Sequence, residues 1–356
     1  MTATTATARG RPALPAILWP LLFGNFVIGT GVMIVPGTLN EISSSLRVPV
    51  ATSGSLISAS ALLMCLGAPL CAALVAGWDR RRLLALSMLW YGLLHLACTL
   101  APSFAALLPL RVVAMIAPAI FTPQAAACVG LLVPPEQRGR AITFVFLGWS
   151  VASVLGMPIG AYVGGTLGWQ AAFALVGVFS LASAAWVWRA MPDGVRPPAL
   201  SMAAWKETLR SRPLMLCIAV TVLYSAGQFV LFSYFAPYYK ARLNITPGEL
   251  SLLFMWFGAF GFIGNLVMSR HIDRVGADTA VMVGIALMAV SLLAWPLGTH
   301  LLLAALISVP WALGYCHSSA PPASSSVTVV TLSVPDLKLP TIRAPAIVNT
   351  VTLRPD

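Results

Sequence analysis

Long apolar runs separated by short polar turns fill this chain from residue 14 to residue 315. The runs fall at roughly 14–37, 51–76, 83–102, 105–133, 142–165 and 170–189, and then at 214–238, 249–269, 279–297 and 299–315. Crossing a bilayer core as a helix takes about 20 apolar residues, so the pattern predicts six spanning helices, a polar linker and four more. The first run is too long for the apolar core of a signal peptide and no cleavage site follows it. It reads as a helix closed by Pro36, with NEISSSLRVP, including Glu41, as the loop beyond. Residues 1–13 form a polar N-terminal segment, 14–190 a six-helix bundle, 191–213 a linker and 214–315 a second, incomplete bundle. Within the linker Ser201 is placed to cap a short amphipathic helix bearing Trp205, Lys206 and Arg210. At Cys316 the pattern stops. Pro321, Pro322, Pro335, Pro340, Pro345 and Pro355 leave no apolar run able to span. Two explanations of 316–356 are open, out-of-frame translation or a disordered Ser/Thr/Pro tail, and either predicts weakened or absent activity.

Composition sharpens this picture. The 356 residues are 59% hydrophobic and 9% charged, with a mean hydropathy of +0.89; soluble proteins carry about 25% charged residues. A net charge of +11 would suit nucleic acid, but no basic stripe interleaved with aromatics lies on a polar surface. The cations instead sort by loop. With the N-terminus in the cytoplasm, the inner segments hold Arg9, Arg11, Arg80, Arg81, Arg82, Arg138, Arg140, Arg189, Arg196, Lys206, Arg210, Arg212, Arg270 and Arg274. The outer loops hold Arg47, Lys240 and Arg242. This is the positive-inside asymmetry of a multi-pass membrane protein. Lys240 and Arg242 are the one loop that votes the other way.

Few residues within the spans carry chemistry. Gly156, Gly160, Gly164 and Gly168 recur every four residues, a spacing that lets a neighbouring helix approach closely. Pro158 on that face frees a carbonyl and makes a hinge. Arg111 is a lone cation in the fourth span; two placements are open, facing a cavity or partner, or snorkelling to the headgroups. Asn25, Gln124, Gln228 and Tyr234 either line a substrate cavity or make interhelical hydrogen bonds. No carboxylate falls in mid-span, and Glu41 is nearest. The cysteines read as small buried side chains, and neither they nor the histidines have metal-ligand spacing. No cofactor motif and no P-loop occur, and the chain does not read as an enzyme.

The two halves echo one another. GWDRRRLLAL follows the second span and HIDRVGADTA the eighth, placing Asp79-Arg80 and Asp273-Arg274 at equivalent turns. Asp79 through Arg82 resembles the Asp-Arg-x-Gly-Arg-Arg signature of the major facilitator superfamily, either with Arg82 where the signature has glycine or with Arg80 to Arg82 as its closing arginines and Ala76 where it has aspartate. Arg111 stands where that family has an arginine early in span four, followed here by Ala114-Met115 in place of Gln-Gly. VPPEQRGRA, GMPIGAYVGG and the GWQAAF that leads into span six resemble further motifs of its drug and sugar efflux branch. The resemblance implies an all-α, two-bundle transporter with about ten of twelve helices present. It further implies a monomer that works among membrane lipid by alternating access. Its expected partners are a small amphipathic substrate and a coupling proton, with no nucleic acid. Arg111 would meet substrate or countercharge, and Gly156, Pro158 and Gly160 would form the hinge. Asp79, Arg80, Arg81, Arg82, Asp273 and Arg274 would form the inner gate. Efflux of sugars or other polar metabolites, and a truncated membrane protein that does not transport, are the alternatives.

Overall fold

The computed structural model describes residues 15–75, 77–134, 137–196, 210–275 and 277–315. The tail from Cys316, the segment carrying Ser201, Trp205 and Lys206, and the side chains of Asp273 and Arg274 lie outside the described residues. In chain order the first half contains α1 (Leu18–Leu46), α2 (Val50–Ser53), α3 (Ser55–Leu74), α4 (Arg80–Thr99), α5 (Phe104–Ala114), α6 (Ile116–Leu132) and α7 (Arg138–Val151). A π turn (Ala152–Gly156), α8 (Met157–Leu167) and α9 (Trp169–Ala190) complete it. The second half contains α10 (Arg212–Phe232), α11 (Phe235–Leu243), α12 (Pro247–Val275), α13 (Ala277–Ala294) and α14 (Leu301–Tyr315). No strand occurs among the described residues. Eight helical stretches among them are long and apolar enough to cross a bilayer, and the shorter apolar helices Val281–Leu297 and Leu301–Gly314 follow in the ninth and tenth places.

Lipid is the solvent these helices are built for. Along α3, Leu62, Leu66, Leu70 and Leu74 repeat every four residues and are 58–78% exposed, a greasy stripe no aqueous surface would keep. The buried faces are made of small residues instead. α1 lies in a groove of the α7–α8 helix: a Cβ on Gly148 would come within 2.3 Å of the Leu22 carbonyl, on Gly156 within 2.0 Å of Thr30 Oγ1, and on Gly164 within 2.3 Å of Thr38 Cγ2. Between lipid-solvated helices this backbone proximity replaces the hydrophobic drive available in water. The four-residue face starts earlier than the sequence pattern suggests, at Gly148. It also ends earlier: Gly168 has φ +91° and terminates α8 rather than extending its face.

Prolines divide into two groups. Each lacks the N–H that would bond the carbonyl four residues earlier. Pro118 thereby interrupts the fourth span at Ala114–Met115, Pro237 interrupts the seventh at Ser233–Tyr234, and Pro158 follows the π turn at 152–156. Pro36, expected to close the first helix, lies inside α1, which continues ten residues further to Leu46 and ends where Arg47 turns left-handed (φ 53°). Residues 40–46 of the expected outer loop are therefore helical, and Glu41 belongs to α1 rather than to a loop. Pro36 is held in a fully protein-packed stretch: Val35 and Pro36 are buried, and Gly37 abuts Ala161. One lost hydrogen bond does not end a helix so enclosed.

The halves meet around α12. A Cβ on Gly258 would fall 2.3 Å from the Ser153 carbonyl in the π turn, and Ser251 Oγ donates to the Pro158 carbonyl at 2.9 Å. An aromatic core of Phe232, Phe235, Tyr239, Phe254, Trp295 and Trp311 belongs to the second half and also takes in Met33, Met157 and Ala161 from the first. These junctions run from the π turn to the end of the bundle that holds Glu41; the opposite end holds Asp79.

Candidate functional site

The break that Pro118 makes gives α5 a C-terminus inside the membrane-spanning stretch, and Arg111 stands in its last turn. A helix C-terminus carries partial negative charge, which favours a cation there. Trp90 Nε1 donates to the Val113 carbonyl at 3.1 Å, occupying one acceptor of that same turn. The Arg111 side chain does not snorkel. It is 2% exposed and turns inward across α4 to α1.

Its partners define the site. Nη2 donates to the Gly31 carbonyl of α1 at 2.6 Å, using the carbonyl's second lone pair. Nη1 lies 2.7 Å from His95 Nε2 on α4. The other ring nitrogen, His95 Nδ1, lies 2.8 Å from the Tyr91 carbonyl. A carbonyl only accepts, so Nδ1 carries the hydrogen; Nε2 then holds the lone pair that receives Arg111, and the imidazole is neutral. The guanidinium carbon sits 5.6 Å from the centre of the Phe173 ring of α9, which adds a cation–π contact. Gly31 is what lets the cluster close: a Cβ there would stand 2.4 Å from the Tyr91 hydroxyl. Arg111 has no carboxylate partner among the described residues, and its Nε is buried with no hydrogen-bond partner. The first half therefore holds an unneutralised cation with a spare donor.

The other polar residues of the spans are not gathered on Arg111. Asn25 is fully buried, donates to the Val145 carbonyl at 3.3 Å and accepts from Thr122 Oγ1 at 2.9 Å, tying α1 to α7 and α6. It is an interhelical tie, not an open cavity wall. Gln124 is buried on α6, and Gln228 is buried on α10 with its Nε2 unpartnered. Tyr234 is 40% exposed at the α10–α11 break, its hydroxyl beside Gly54. No hydrogen bond joins any of these four to Arg111 among the described residues. His95, Tyr91 and Gly31 were not singled out by sequence, since a lone histidine on an apolar helix carries no spacing signal.

The Asp79 turn forms a second polar site. Asp79 caps α4, its Oδ1 accepting from the Arg82 N–H at 3.1 Å and its Oδ2 from the Gly194 N–H at 2.7 Å. Arg80 Nη1 donates to the Val75 carbonyl at the end of α3 (3.1 Å). Arg81 Nε donates to the Trp188 carbonyl near the end of α9 (2.7 Å), stacking over that indole at 4.7 Å. Arg82 projects outward, exposed. These bonds stitch the ends of α3, α4 and α9 into one unit of the first half. Asp79→Ala is expected to cost about 1–2 kcal/mol through the lost cap, plus a further loss at Gly194, read as a lowered melting temperature in detergent.

Among the described residues no three His, Cys, Asp or Glu side chains approach closely enough to hold a metal ion. Cys98 and Cys128 are buried as small apolar groups, whereas Cys65 is exposed on α3.

The sequence matches the family model of the Major Facilitator Superfamily across residues 21–337. This chain belongs to that superfamily. It is a multi-pass membrane transporter, not an enzyme. The facilitator is 33% identical over 287 residues to a chloramphenicol resistance protein of Streptomyces lividans, the alignment covering 80% of this chain and 72% of the relative. It is 25% identical over 276 residues to a probable sugar efflux transporter of Mannheimia succiniciproducens, covering 77% and 68%. The facilitator's fold matches the crystal structure of a bacterial homologue of the human lysosomal transporter Spinster with a TM-score of 0.66 at 19% identity, over 85% of this chain and 73% of the other.

Proposed function

We propose that this facilitator exports a small amphipathic molecule by alternating access, coupled to proton entry, with its N-terminus and the Asp79 end in the cytoplasm. The observation that carries the reading is the way the halves join. They pack through Gly258 on the π turn and Ser251 on Pro158, and through the aromatic core that shares Met33, Met157 and Ala161. A π turn followed by proline is a helix with spare hydrogen-bonding register, suited to rocking one half against the other. The positive-inside asymmetry sets the orientation. Gly156, Pro158 and Gly160 are the hinge in this reading, and the Asp79–Arg82 turn with its counterpart Asp273-Arg274 borders the inner opening.

The substrate class is taken from the relatives and from the side chains that separation of the halves would uncover. Where the halves meet, the packed and buried Phe232, Phe235, Phe254 and Trp311 dominate. Uncovered, such side chains would suit an aromatic, partly polar compound better than a sugar, whose hydroxyls each need a hydrogen-bond partner. Chloramphenicol, named for the 33% identical relative, is the probe to use first. Arg111, with its spare donor, supplies the charge that meets substrate or a shifting countercharge.

The test is flux through the full chain reconstituted in vesicles with an imposed proton gradient. Chloramphenicol movement that collapses with the gradient is expected. Movement of a monosaccharide but not of chloramphenicol would replace this reading with sugar efflux. No flux of either would mark a membrane protein that does not transport.

A further inference from the structure

Two exposed apolar stripes of the first half end in arginine at the same edge of the membrane. On α4 the stripe runs Leu93, Trp90, Leu86 and then Arg82; on α9 it runs Val178, Ala182, Trp186 and then Arg189. Steps of three or four residues keep each series on one face of its helix. The two helices are antiparallel neighbours: a Cβ on Gly92 would stand 3.0 Å from the Gly177 carbonyl, and Arg81 meets Trp188 at the Asp79 end. Arg82 and Arg189 adjoin that last contact in sequence. They stand at the ends of the spans Arg80–Thr99 and Trp169–Ala190, the depth at which headgroups lie. Neither they nor Arg81 has a counterion among the described residues, whose one ion pair joins Glu41 to Lys240 at the opposite end. The acids nearest in sequence, Asp79 and Asp193, accept from backbone N–H groups instead.

Arg81 is moreover held as a donor. Its Nε is used on the Trp188 carbonyl at 2.7 Å and its guanidinium carbon sits 4.7 Å from the centre of that indole, which fixes the group in place. Its two Nη groups make no hydrogen bond among the described residues. A fixed guanidinium fork matches two oxygens of one phosphate. We propose that this edge of α4 and α9 binds an anionic phospholipid. The phosphate lies against Arg81, Arg82 and Arg189, Trp188 stands at the level of the glycerol as interfacial indoles do, and the acyl chains follow the two stripes. Inorganic phosphate would meet the same donors but leave the stripes unused. A zwitterionic lipid carries its own cation to a place that already holds three, so the site favours a net negative headgroup. Occupied, it neutralises cations that otherwise repel one another across the α4–α9 contact.

The experiment measures lipid retention, which needs no flux and so stands apart from the transport reading. The full chain, purified in detergent and stripped of lipid, is offered phosphatidylglycerol and phosphatidylcholine of equal chain length in equal amounts. Native mass spectrometry counts the lipids kept, and thermal unfolding reports their effect. Phosphatidylglycerol is expected to be kept in preference and to raise the melting temperature. R82Q and R189Q are each expected to weaken its binding by about fivefold, the share of one basic residue near an anionic surface, and R82Q/R189Q to abolish the preference. R82K/R189K keeps the charges and is expected to retain most of it. R140Q, which removes a cation from the start of α7 at the same end, is expected to bind as wild type does. Equal retention of the two lipids, a double variant that binds as wild type, or an R140Q loss as large as that of R82Q overturns the proposal. So does inorganic phosphate that raises the melting temperature as much as phosphatidylglycerol at the same concentration, which would mark a site for the free anion. Should the double variant not fold, either single variant decides by the same measure.

Discussion

Replacing Arg111 by alanine is expected to lower efflux at least about tenfold while leaving the melting temperature in detergent nearly unchanged. The two effects separate because the stability terms oppose each other. Removing the guanidinium leaves the buried His95 Nε2 without a donor and takes the charged donor from Gly31 O; a buried unpaired acceptor costs about 1–3 kcal/mol. It also removes an unneutralised cation from the membrane interior, which costs about 2.5–3.5 kcal/mol on insertion scales. The terms are similar in size, so the fold should hold. What is lost, on the proposed reading, is the buried charge that meets substrate or a moving countercharge. Arg111→Lys tests the geometry separately. An ammonium is a point charge and cannot span His95 and Gly31 in the fixed fork of a guanidinium, so the lysine variant is expected to stay well below wild type. A lysine variant with full flux, or an alanine variant that unfolds, would make Arg111 a structural cation.

Gly156→Ala is expected to destabilise the protein by about 1–3 kcal/mol, the usual range for overpacking, and to impair flux with it. The added methyl would lie 2.0 Å from Thr30 Oγ1 and 2.9 Å from Thr30 Cβ. Thr30 cannot step aside: it is β-branched, and its hydroxyl donates to the Phe26 carbonyl at 2.8 Å. α1 must therefore move away from the π turn, the junction against which Gly258 of α12 also rests. Two comparisons make the cause specific. Thr30→Ala removes the nearest atom, so the double variant should recover part of the loss. Gly227→Ala, with nothing within 4 Å of its Cβ position, should be neutral. Thermal unfolding of the four proteins decides, and an additive double variant would mean the clash is not with Thr30.

Much of this architecture was legible from the chain because a bilayer is a simple solvent. Apolar length alone marks a spanning helix, loop cations mark its orientation, and glycines four apart mark a face for close approach. Arg111 was conspicuous for the same reason, since a cation among apolar residues is costly wherever it lies. Its environment was not legible. His95 is sixteen residues away and Gly31 eighty, and neither carries a local signal; only the packing of α1, α4 and α5 makes one nitrogen lone pair and one backbone oxygen into its partners. The reading of Gly168 as part of the glycine face failed because periodicity continues past a helix end that only backbone geometry reveals.

The sequence by itself determined the polytopic helical class, the positions of the spans, the asymmetry of charge and the unusual standing of Arg111, Pro158 and Lys240. Tertiary structure decided which prolines break their helices, since that depends on what encloses the freed carbonyl. It also decided that Asn25 is a tie, that Arg111 is buried rather than snorkelling, and that Glu41 lies in α1. The meeting of Glu41 with Lys240 across the two halves was decided there as well, because an ion pair depends on distance in space, and hydropathy records only distance along the chain.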